Sequence, residues 1–110
     1  MPTPQDFFDI DIRVGTVLRA ERFDRAVKPA IRLEIDFGPE LGIKQSSAQL
    51  TAHYTPETLV GRQVVAVTNI GTRNIAGFTS EVLVLGAMPG PAEVVLLHPD
   101  HPVANGVRIG

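Results

Sequence analysis

From Ala30 to Phe37 the chain alternates strictly. Ile31, Leu33, Ile35 and Phe37 fall on one side, Arg32, Glu34 and Asp36 on the other. Period two places the two sets on opposite faces of a β-strand. A strand with one apolar face needs neighbours beside it and a core beneath it, so this segment commits the chain to a sheet. Gly38-Pro39-Glu40-Leu41-Gly42 follows as a breaker-rich turn. It leads into a second extended segment, Ile43 to Thr51, and the two read as a hairpin.

That second segment is an unusual strand. Lys44, Gln45, Ser46, Ser47, Ala48 and Gln49 fill its middle, where a strand built for packing carries Val, Ile or aromatic residues. Two readings fit. The hydroxyls, amides and ammonium line a shallow binding groove, or the segment is a solvated edge strand blunted against pairing.

The rest of the chain supplies further strands. Pro2 to Pro4 reads as a mobile tail within residues 1–6, and Asp6-Phe7-Phe8 as one helical turn. Ile10, Ile12 and Val14 alternate with acids and Arg13, and Gly15 then interrupts the pattern, which predicts a bulge or bend. Asp24 to Pro29 reads as a loop. Thr55-Pro56-Glu57-Thr58-Leu59-Val60-Gly61 carries a cap, a first-turn proline and a terminal glycine, the signature of a short helix. Arg62 to Ile70, Glu81 to Leu85 and Glu93 to Leu97 read as strands with apolar residues on both faces. Ile70 to Thr79 and Ala87 to Ala92 read as loop and turn, and Val103 to Ile109 as a last extended piece.

Three strands, a short helix and two strands make the order of the OB-fold, a five-stranded barrel. Residues 92–110 form a β extension. The fold class is all-β, and the 110 residues make one domain. A small barrel has one interior, so the second apolar face of the late strands needs cover from the extension, a second subunit or both. The expectation is a homodimer.

The ten lysines and arginines against twelve acids give a net charge of −2, which argues against a simple electrostatic nucleic-acid binder. Arg13, Arg19, Arg22, Arg25, Lys28, Arg32 and Lys44 nevertheless fall in one third of the chain, among Glu21, Asp24, Glu34, Asp36 and Glu40. Zero cysteines excludes disulfides and thiol chemistry. No apolar run has the length of a membrane helix, and Met1 to Asp11 holds three acids and no base, so a cytoplasmic location without membrane insertion is expected. His98 and His101 sit in a proline-rich turn far from His53 and do not make a four-ligand metal set. There is no nucleophile elbow, phosphate-binding loop or dinucleotide fingerprint. The chain reads as a binding protein, without cofactor, metal or catalysis. It has no Trp and one Tyr, so sequence-specific stacking on single strands is not expected, whereas recognition of folded RNA by shape and phosphate contacts is open. An extended peptide added along a strand edge is open too.

Three stretches carry a further signal: Asp11-Ile12-Arg13-Val14-Gly15, Ile43-Lys44-Gln45-Ser46-Ser47-Ala48-Gln49 and Ile75-Ala76-Gly77-Phe78-Thr79-Ser80-Glu81-Val82-Leu83-Val84-Leu85-Gly86, of which the runs from Lys44 to Gln49 and from Ser80 to Gly86 are the specific ones. From about Phe7 to Ile109 the chain resembles the tRNA-binding-domain family, and within it the small secretion chaperones. The resemblance implies an OB-fold with a C-terminal β extension, a homodimer and no catalysis. It implies unfolded preproteins and the secretion ATPase as partners, with tRNA as the alternative ligand. By position it implies a groove of Arg13, Lys44, Ser46, Ser47 and Gln49, with Asn69, Arg73, Phe78, Ser80 and Glu81 around it. Lys44 and Arg73 would meet phosphates, Ser46, Ser47 and Gln49 would donate hydrogen bonds, and Phe78 would be an apolar contact. After Asn69 the relatives often carry an aromatic, two prolines and a basic pair. Here Ile70-Gly71-Thr72-Arg73-Asn74 stands instead, one charge and a rigid turn short.

Overall fold

Strand β1 (Ile12–Phe23) is the spine of the molecule, and it changes partner half-way. A computed structural model describes residues 1–24 and 28–110. Ile12 to Thr16 pair antiparallel with β4 (Gln63–Val67), and Thr16 to Phe23 pair with β2 (Ala30–Asp36). Gly15 lies at the changeover. A Cβ there would sit 2.6 Å from Ile35 Cγ2 and 2.8 Å from Phe37 Cδ1, so only glycine lets the core pack against the backbone. The irregularity expected at Gly15 falls three residues later, where the pairing register shifts between Val17 and Arg19.

The alternating strand is β2, and it pairs with β3 (Ile43–Ala48) as the expected hairpin. The connection is a helical turn, α2 (Gly38–Leu41). The polar strand ends at Ala48, three residues early. Helix α3 (Pro56–Leu59) lies between β3 and β4, with Thr55 and Thr58 in a reciprocal cap and Leu59 buried. The sheet runs β3-β2-β1-β4-β7, where β7 is Leu83–Val84. It is a five-stranded curled antiparallel sheet, the OB-fold.

The segment read as a loop, Ile70 to Thr79, contains a hairpin of β5 (Arg73–Ile75) and β6 (Phe78–Ser80). Ala76 and Gly77, at φ +49° and +87°, form its two-residue turn, the left-handed geometry that suits a twisted hairpin. The Asn74 side chain accepts from the Gly77 N–H at 3.0 Å. Ala87, expected in a turn, belongs to β8 (Gly86–Ala87), which pairs with β9 (Val95–Leu96).

At the amino end the helix begins earlier than expected. α1 (Pro4–Phe8) is capped by Thr3, whose hydroxyl accepts from Asp6 N while the Asp6 carboxylate accepts from Thr3 N. Ile10 lies outside β1 and is exposed.

The barrel interior holds Val17, Ile31, Leu33, Ile35, Phe37, Leu50, Leu59, Val64 and Ala66. A second cluster, Ile12, Val14, Val65 and Val67, lies on the other face of β1 and β4. On β4 this is the extra apolar face seen in the sequence. The C-terminal segment covers it: Gly106 N donates to Val14 O, Val14 N to Val107 O and Ile109 N to Ile12 O, at 2.7 to 2.9 Å. Ile109 and Leu85 complete the packing. Among the described residues no helix is long and apolar enough to cross a membrane.

Candidate ligand groove at the barrel seam

β3 is the edge of the sheet, and the barrel closes along it largely through side chains. The Glu81 N–H donates to Gln45 O at 2.8 Å, a backbone bond. The Gln45 N–H donates instead to the Glu81 carboxylate at 3.1 Å, and the Ser47 N–H to the Ser80 hydroxyl at 3.1 Å. The Ser46 hydroxyl donates to Val82 O at 3.0 Å, and the Gln45 amide to Thr79 O at 2.7 Å. A polar strand is therefore what this seam requires.

The seam engages part of the expected groove set. Ser46 is 1% exposed and faces inward opposite Leu33, so its hydroxyl is spent inside the barrel. Ser80 is buried, and Glu81 is engaged on β3. Arg13 and Asn69 belong to a different structure, at the barrel end where both termini meet. Arg13 Nε lies 2.9 Å from Asp11 Oδ1, and its Nη1 donates to Gly106 O. Asn69 accepts from Asp11 N and donates to Asp9 O. Thr68 and Arg108 also bond or face Asp11. Burial alone raises the Asp11 pKa, but the hydrogen bonds of Thr68 and Arg13 and the charges of Arg13 and Arg108 outweigh it and hold it below its ordinary value.

Phe78 packs against side chains of β1 and β2. Its ring packs 5.5 Å from that of Phe23, and the Arg32 guanidinium lies 5.0 and 5.5 Å from the two ring centres. Glu21 takes Arg32 as an ion pair. Lys44 stands opposite Ile35 and does not line the groove.

What remains is a continuous depression between β3 and the β5–β6 hairpin. Ser47, Arg73 and Ile75 are common to its two halves. One half, about 430 Å³, is walled by Lys28, Ala30, Ala48, Gln49 and Asn74. The other, about 120 Å³, has Ile70, Val82 and Leu83, with Ser80 at its base. Of the expected residues, Ser47, Gln49, Arg73 and Ser80 come together here. Lys28, Asn74, Ile70, Ile75 and Leu83 were not singled out. Lys28 stood within the basic run, but no spacing in the chain joins it to the hairpin. Arg25 lies outside the described residues.

The family profile described as "Putative tRNA binding domain" matches residues 12–108. The chain belongs to this family. A crystal structure of the chaperone CsaA from Bacillus anthracis superposes with a TM-score of 0.96 at 55% identity, covering 100% of this chain and 99% of that one. The CsaA chaperone of Picrophilus torridus superposes at 0.92 with 44% identity, over the full length of both. A methionine–tRNA ligase of Methanosarcina mazei is 38% identical over 105 residues, 96% of this chain and 14% of the ligase. The chain thus spans about one seventh of the length of that relative, and the match concerns a tRNA-binding-type domain.

Proposed function

We propose that this chain is a non-enzymatic, homodimeric protein-export chaperone of the CsaA type, which holds extended segments of unfolded preproteins in the seam groove. The observation that carries this reading is the full-length 55% identity to a protein described as a CsaA chaperone. The apolar half of the groove fits it, since Ile70 and Leu83 are exposed beside Ile75 and Val82 and offer a surface for apolar side chains of an extended chain. The secretion ATPase is the further partner this reading implies, and the cytoplasm its location. The dimer is supported by Met88, Val95 and Leu97, apolar side chains that stay exposed on and beside β8 and β9. The test is suppression of aggregation of a urea-unfolded preprotein on dilution. No suppression at several-fold excess overturns the chaperone reading. A monomer mass across micromolar concentrations overturns the dimer.

A second reading is that folded RNA, tRNA above all, occupies the groove. Two basic side chains, Lys28 and Arg73, line its larger half with no carboxylate among the described lining residues, and the ligase relatives carry a like domain. Its test is titration with bulk tRNA at low and moderate salt, because neutralised phosphates release counterions and make affinity fall with salt.

A further inference from the structure

We propose that Lys28 and Arg73 form a two-point clamp for the phosphate backbone of a folded RNA, with Lys28 the contact that the family motifs do not mark. This deepens the RNA reading and rests on it. Most of the positive charges are already engaged. Of the ten lysines and arginines, Arg25 lies outside the described residues. Arg13, Arg19, Arg22, Arg32 and Arg108 face carboxylates in ion pairs. Arg62 lies 5.3 Å over the Tyr54 ring. Among the described residues that leaves Lys28, Lys44 and Arg73 without a charge or ring partner. The undescribed residues, Arg25, Ala26 and Val27, contain no carboxylate. Two of these three cations converge on one cleft.

The cleft's other polar side chains can each donate. Ser47 has a hydroxyl, Gln49 an amide, and Asn74 an amide whose oxygen is occupied by Gly77 N while its NH₂ remains. Cations and neutral donors without a carboxylate suit an anion. Among the described residues no aromatic ring lines the cleft, so they offer no stacking platform for bases. Contacts to the backbone of a folded RNA, read by shape, are what this set supplies. At about 430 Å³ the cleft is larger than a lone ion requires.

The experiment is fluorescence anisotropy with labelled bulk tRNA across a potassium chloride series, for wild type, Lys28→Ala, Arg73→Ala, the double variant and Lys44→Ala. Lys28 and Arg73 are exposed, and unchanged circular dichroism and melting midpoints check the fold. Each clamp substitution is expected to weaken binding several-fold and to lower the log–log salt slope by about 0.7 to 0.9, the double variant by about twice that. Lys44→Ala is expected to leave the slope in place. Salt-dependent wild-type binding with an unchanged slope in Lys28→Ala and Arg73→Ala overturns the clamp while the RNA reading stands. An equal fall in Lys44→Ala also overturns it, because general charge then accounts for binding. No tRNA binding at low salt removes the RNA reading and the clamp with it.

Discussion

The Ser46 hydroxyl donates to the Val82 carbonyl at 3.0 Å across the barrel seam, with both residues buried. Removing that hydroxyl strands a carbonyl where water does not reach. A buried acceptor left unpaired costs about 1–3 kcal/mol. Ser46→Ala is therefore expected to lower the unfolding free energy, measured by urea titration, by that amount. Ser47→Ala is the control. Its neighbouring hydroxyl faces the groove, while its N–H keeps the bond to Ser80, so the expected change is within about 0.5 kcal/mol. Equal loss in both variants contradicts the assignment of Ser46 to the seam.

Gly15 is expected to tolerate no side chain. The methyl of Gly15→Ala meets Ile35 Cγ2 at 2.6 Å and the Phe37 ring at 2.8 to 2.9 Å. Overpacking of a well-filled core costs typically about 1–3 kcal/mol. Thermal unfolding of Gly15→Ala checks it, and a melting temperature equal to wild type rules out the close approach.

Much of this architecture was legible in the chain. The alternation of β2 gave its face assignment residue by residue, and the seven-residue signature from Thr55 gave α3. Of the strands read as apolar on both faces, β4 finds its cover in the segment around Ile109, whereas Leu83, Val95 and Leu97 stay exposed. The polar strand was legible as a strand but not as a seam, because a serine paired to a distant carbonyl has the same one-letter appearance as a serine facing solvent. Only the fold brings Val82 to Ser46. The β5–β6 hairpin was hidden for a local reason: its turn uses Ala76 in left-handed geometry, where Asn or Gly would have announced it. Lys28 and Arg73 stand 45 positions apart, and no spacing rule joins them.

The Asp11 cluster predicts how stability depends on acid. The carboxyl is held below the ordinary value of 3.8 in the folded chain, so the folded state favours the ionised form. Its contribution is fully present above the unfolded pKa and is lost as pH falls through the depressed folded value. Asp11→Asn is expected to flatten the acid side of the stability–pH curve, measured by urea unfolding from pH 6 down to pH 2. An unchanged acid limb means that Asp11 does not tie Arg13 and Arg108 together in solution.

Phe78 and Leu83 separate packing from binding. Phe78 rests on Phe23 and Arg32, so Phe78→Ala is expected to cost stability, on the order of 1–3 kcal/mol after allowing for its partial exposure. Capture of unfolded preprotein should be retained at temperatures where the variant is folded. Leu83 is 44% exposed in the apolar half of the groove. Leu83→Ser is expected to change stability by about 1 kcal/mol or less, yet to reduce the suppression of preprotein aggregation several-fold. Ile70→Ser, at 58% exposure on the same wall, should act in the same direction. The two effects are read in one light-scattering assay, with midpoints measured beside it. If Phe78→Ala abolishes suppression while folded, and both Leu83→Ser and Ile70→Ser leave it intact, preproteins bind over β2 rather than along the seam.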